Sequence, residues 1–163
     1  MAKKAAKRKR KPKKSGALSP LIRSAFEVLE HGLFHYLRSN TVKDMKFALL
    51  HIDQAIELML KERVRSGGKS ISKPNNPKET LSIWAAYEIL EKDFKCKIPE
   101  RPDLELLHEE RNNIQHKYAN PSAEDAAFHV SKAMKFIDRF VRDELKLTLS
   151  DYIPSDFLAQ VLQ

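Results

Sequence analysis

The apolar residues of this chain recur at steps of three and four, and that spacing restricts the fold to packed helices. Val42, Met45, Leu49, Ile52, Ile56 and Met59 form one such stripe, which ends at Gly67-Gly68. Ile22, Ala25, Phe26, Leu29, Leu33 and Leu37 form an earlier one, opened by Ser19-Pro20 as N-cap and first helical residue. Thr41 with Asp44 resembles a capping box, with Asp in place of the preferred Glu. A third helix is expected from Asn76-Pro77, carrying Ile83, Trp84, Tyr87, Leu90 and Phe94. Pro102 opens a fourth, to about Ala119, and Asn120-Pro121 a fifth, striped by Ala126, Val130, Met134, Ile137, Val141 and Leu145. Pro154 opens a short sixth. No convincing alternation appears, so the expectation is all-α, with Ser66 to Lys78 as a long polar loop.

Charge divides the chain in two. Residues 1–14 hold nine Lys or Arg and no acid, whereas the rest holds 21 basic against 22 acidic residues. The net charge of +8 therefore belongs to an appendage, and the body is near neutral. With no large apolar residue after Met1, residues 1–16 are expected to be a disordered tail, and 17–163 one helical domain. Lys7, Arg8, Lys9, Arg10, Lys11, Lys13 and Lys14 suit an arm that binds nucleic acid phosphates. The same run would serve as a nuclear localisation signal in a eukaryote, or simply as a solubilising tail.

One cysteine, Cys96, permits no intrachain disulfide and points to a reducing, cytoplasmic setting. No segment has the roughly 18 or more apolar residues that a membrane span needs, and the basic N-terminus lacks the apolar core of a secretory signal.

The fourth helix reads RPDLELLHEERNNIQHKYANP. Leu104, Leu107, Arg111, Ile114 and Tyr118 share one face, so Arg111 stands where the pattern asks for an apolar residue. Its guanidinium must meet a carboxylate, a carbonyl or a phosphate, and a structural ion pair would satisfy it as well as a ligand would. His108, Asn112 and His116 lie at steps of four on a polar face, a spacing that lets Asn112 bond and orient the His116 ring. Arg111 and His116 are about 140° apart around the helix, so they share one phosphate only in the groove between their faces. A lone histidine on such a helix is commonly a surface or satisfied core residue.

Arg111-Asn112-Asn113-Ile114-Gln115-His116 resembles the Arg-polar-x-x-x-His signature of the HEPN (higher eukaryotes and prokaryotes nucleotide-binding) superfamily. With Lys117 and Tyr118 it is similar to the form found in HEPN toxins paired with minimal nucleotidyltransferase antitoxins. The run Ala48 to Lys61 resembles an early core helix of such domains, and the likeness covers roughly residues 40–148. The resemblance implies a HEPN-like bundle of four to five core helices plus a short C-terminal helix. It implies a homodimer and a metal-independent endoribonuclease that uses no cofactor. Single-stranded RNA would be cut by attack of a ribose 2′-OH. Arg111 would hold the phosphate, His116 move the proton and Asn112 orient His116. Tyr118 would be a candidate for modification by an antitoxin, although a tyrosine on this stripe also reads as core. A toxin or defence role follows from the same likeness. The alternative is a non-catalytic HEPN-like module that binds nucleotide, nucleic acid or a partner protein.

Other signals carry less. Gly67-Gly68-Lys69-Ser70 lacks the first glycine and the strand of a phosphate loop. His31 and His35 are one turn apart, but Glu27 and Glu30 beside them fit a solvated face better than a metal site. His51 reads as a hydrogen-bonded core histidine, and no covalent nucleophile set can be assembled.

Overall fold

The computed structural model describes residues 16–38 and 41–163. Six α-helices follow one another: α1 (Pro20–Arg38), α2 (Val42–Ser66), α3 (Ile83–Glu88), α4 (Arg101–Lys117), α5 (Ala123–Asp143) and α6 (Ser155–Val161). A π-helical turn, Ile89–Asp93, extends α3, and a 3₁₀ turn, Leu149–Asp151, precedes α6. The protein is an all-α bundle, as the periodicity requires.

The starts are where local chemistry puts them. The Ser19 hydroxyl accepts the Ile22 amide at 3.2 Å, Thr41 accepts that of Asp44, and Ser122 with Asp125 closes a full capping box. Ser19 also donates to Glu62 at 2.8 Å, so the cap of α1 is tied to α2.

The third helix departs from expectation. Asn76–Thr80 forms a strand, β2, paired antiparallel with β1 (Ser72–Lys73), and α3 begins after Ser82, whose side chain accepts the Ala85 amide. β2 reads NPKET with every residue exposed, so it carries no apolar alternation by which a strand could be read. Pro77 is tolerated because this hairpin has an open edge. The hairpin is pinned to α2: the buried Lys61 ammonium bonds Glu57 at 2.5 Å and the Thr80 hydroxyl of β2 at 2.9 Å.

The long helix α2 is the centre of the bundle and packs against α1, α3, α4 and α5. Leu49, Ile52, Ile56, Met59 and Leu60 from α2 meet Leu29 and Leu33 from α1, Leu104 from α4, and Phe136 and Phe140 from α5, all fully buried. Gly32 makes the α1–α2 crossing tight: a Cβ there would stand 3.1 Å from Ile52 and from the Cβ of His51. Arg139 of α5 grips Glu100 with two bonds of 2.7 and 2.6 Å, and Arg101 binds Glu91 and Glu105, so the start of α4 is clamped from both sides. No helix among the described residues is long and apolar enough to cross a membrane.

Candidate functional site

On α4, Leu104, Leu107 and Ile114 face the core, and Arg111 occupies the gap between the last two. Its partner is Asp53 of α2, a carboxylate only 1% exposed in the middle of the bundle. Arg111 Nε lies 3.7 Å from Asp53 Oδ2, and His108 Nδ1 lies 3.0 Å from the same oxygen and 3.2 Å from Oδ1. The bond to Asp53 holds the His108 imidazole above its ordinary pKa, against the opposing effects of burial and Arg111. A buried carboxylate thus fixes two side chains of α4 at once. The structural ion pair that the apolar stripe allowed for Arg111 is present.

Asp53 was missed in the sequence, yet it left a signal. It interrupts the buried series Leu49, Ile56, Leu60 as Arg111 interrupts Leu107 and Ile114. Two opposite charges, each breaking the apolar stripe of its own helix, are expected to meet.

Asn112 does not serve His116. Its Oδ1 accepts Arg111 Nη1 at 2.9 Å, which steadies the guanidinium and leaves the amide nitrogen free. His116 is exposed and has no hydrogen-bond or ionic partner among the described residues. The expected Asn112–His116 bond is replaced because the guanidinium, with five donors, competes for the same carbonyl oxygen from the adjacent position. Most of those donors remain uncommitted, and Arg111 is only half-buried.

Tyr118 is not a core residue. It terminates α4 in the left-handed region, φ 56° and ψ 30°, with its backbone N–H on Asn113 O and its side chain 88% exposed. The helix unwinds before the stripe can carry Tyr118 inward. A non-glycine residue in this conformation costs about 1–2 kcal/mol. Here it presents a phenol beside His116 and Lys117 at an open helix end.

Along the N-terminal and middle part of α4, α3 and α4 enclose a groove of about 520 Å³, lined by Trp84, Pro102, Glu105, Leu106, His108, Glu109 and Asn112. Trp84, read as apolar stripe, is 44% exposed, with its ring edge-on to His108 at 5.7 Å between centroids. The tail residues Lys7, Arg8, Lys9, Arg10, Lys11, Lys13 and Lys14 lie outside the described residues.

The other histidines behave differently. His31, His35 and His51 pack ring to ring, at 4.6 to 6.1 Å between centroids, and His35 Nδ1 bonds Asp44 at 2.8 Å. His51, expected to be hydrogen-bonded, has a buried Nδ1 without a close hydrogen-bond partner among the described residues, and burial, with His31 beside it, lowers its pKa against the Phe47 backbone, which raises it. No three His, Cys, Asp or Glu side chains converge as a metal-ligand set among the described residues. Cys96 is buried, and its thiol is pushed up to about 11 by burial and by Glu144, so it is a poor nucleophile.

Comparisons with protein-family models, with curated proteins and with solved structures return no match for this chain.

Proposed function

We propose that this protein is a HEPN-type endoribonuclease that cleaves single-stranded RNA without a metal ion and acts as a homodimer in the cytoplasm. The observation that carries the reading is the end of α4. There a guanidinium is braced by a buried carboxylate and an amide, five residues before an exposed imidazole that has no partner among the described residues. Bracing supplies the preorganisation that phosphate binding needs, and exposure leaves the imidazole within reach of a bound ribose.

In the reaction, the ribose 2′ oxygen forms a bond to phosphorus as the bond from phosphorus to the 5′ oxygen breaks. A neutral His116 takes the 2′ proton, and the leaving 5′ oxygen takes one from the protonated imidazole of the same residue in a second copy. The products are a 2′,3′-cyclic phosphate and a free 5′ hydroxyl. Arg111 binds the non-bridging oxygens, whose charge grows in the transition state. The basic residues of 1–14 add affinity for RNA, and Tyr118 stands where modification by a nucleotidyltransferase-type antitoxin would block the site. A toxin or defence role follows.

One observation favours the non-catalytic module instead: Asp53 gives Arg111 a structural reason to be where it is. Incubation of labelled single-stranded RNA in EDTA separates the two. The wild type is expected to generate cyclic-phosphate ends, and His116→Ala, at an exposed position, to lose about 100-fold or more of the rate without loss of fold. Undiminished cleavage by His116→Ala overturns the assignment. Binding without cleavage by the wild type establishes the module.

A further inference from the structure

The groove between α3 and α4 holds a specific arrangement of donors and acceptors. Trp84, Pro102 and Leu106 give it apolar walls, and both Trp84 and Leu106 are about half exposed, so the walls are open to a ligand. Asn112 has committed its oxygen to Arg111 and presents its NH₂ group. His108 turns Nδ1 to Asp53, which leaves Nε2 as the ring nitrogen available to the groove. Glu105 already accepts Arg101 Nε at 2.7 Å. Glu109 has no ion-pair or hydrogen-bond partner among the described residues and is exposed. The groove therefore offers one free carboxylate, the Asn112 amide as a donor, a His108 Nε2 that donates when the ring is protonated and accepts when it is neutral, and an aromatic wall, in a volume typical of small-ligand sites.

A phosphate is the wrong ligand for this lining, because two glutamates would repel it. Single-stranded RNA also presents bases, which proteins read by stacking on aromatic side chains and by hydrogen bonds to the base edges. Guanine carries two adjacent N–H donors, N1–H and the N2 amino group, beside the O6 acceptor. A carboxylate can take both donors at once, a geometry that adenine, uracil and cytosine cannot match, while a nearby nitrogen donor serves O6. The groove also runs on toward the proposed reaction centre. His108, Asn112 and His116 follow at steps of four, and Glu109 precedes His116 by seven residues, about 10 Å along the axis.

We infer that this groove is a guanine-selective base subsite, with Trp84 as stacking wall and Glu109 as the residue that reads N1–H and N2–H. The inference rests on the ribonuclease reading for its biological sense, but it can be tested without cleavage. Trp84 is the single tryptophan of the chain, so intrinsic fluorescence reports on the groove alone. Titration of the full chain with guanosine 3′-monophosphate is expected to quench Trp84 at lower concentration than adenosine 3′-monophosphate does, by about tenfold or more. Glu109→Gln, at an exposed helical position, is expected to abolish that preference while adenosine 3′-monophosphate binds at least as well, because the lost charge had opposed every phosphate. Equal quenching by both nucleotides, or a guanine preference that survives in Glu109→Gln, overturns the subsite. Guanine-selective quenching in a chain that leaves RNA intact upholds the subsite and removes only the nuclease. Cleavage with no preference for guanine and no selective quenching does the reverse.

Discussion

At the scale of single residues, the centre of the site is Asp53, not a member of the motif helix. Removing one partner from a buried, hydrogen-bonded charge leaves the others uncompensated, so Asp53→Asn is expected to do more harm to the fold than any exposed change on α4. The pair also predicts a pH signature. Asp53 raises the His108 pKa above its unfolded value, so the pair's contribution to stability is fully present below about pH 6.5. It is lost as the pH rises through the folded pKa. His51 and His129 have lowered values, chiefly from burial, and so work in the opposite sense, opposing the folded state as the pH falls below their ordinary value. Comparing urea unfolding of the wild type with that of His108→Gln cancels those two. The stability gap is expected to be wider at pH 6 than at pH 8.5, and a gap that widens with pH would refute the pairing. The need for a partner to Arg111 was legible in the sequence. The identity of that partner was not, because helix periodicity gives each helix its own face but no register between helices.

At the scale of elements, prolines, caps and apolar stripes located α1, α2, α4, α5 and α6, although α4 and α6 start without a side-chain cap and α5 begins not at Asn120-Pro121 but after Ser122, whose capping box with Asp125 sets the start. The hairpin was hidden because its second strand is entirely polar and exposed, held by tertiary bonds such as Lys61 to Thr80 rather than by its own pattern. Asn76-Pro77 looked like a helix start, but that signal serves turns and strand edges equally well. The end of α2 provides the test at this scale. Gly67 caps the helix at φ −81°, a conformation open to any residue, so its constraint is space and not backbone freedom. A Cβ there would come within 2.4 Å of the Phe94 ring, which in turn lies under the Arg63 guanidinium at 5.0 Å. Gly67→Ala is therefore expected to push Phe94 out of place and to cost about 1–3 kcal/mol in urea unfolding. A neutral or stabilising result would show that the contact between the end of α2 and the π-helical turn is loose.

For the whole molecule, composition alone assigns the net charge to residues 1–14 and leaves the rest of the chain near neutral. The near-neutral body engages many of its cations in ion pairs and sets Glu105 and Glu109 along the groove, so it offers RNA little long-range attraction. Long-range affinity must then come from the nine basic residues of 1–14. Each cation that neutralises a phosphate of a single strand contributes about 0.7 to the slope of log affinity against log salt, so a fully engaged tail contributes about 6. A chain truncated to begin after Lys14 is expected to bind a single-stranded oligonucleotide more weakly at low salt and with a much shallower slope. Its cleavage rate at saturating RNA should stay near that of the full chain, because Arg111, His116 and the groove are untouched. Its unfolding midpoint should not move either. An unchanged slope would mean that phosphates are gathered by the body itself, and the exposed Lys117 with Arg111 would become the first residues to substitute in search of them.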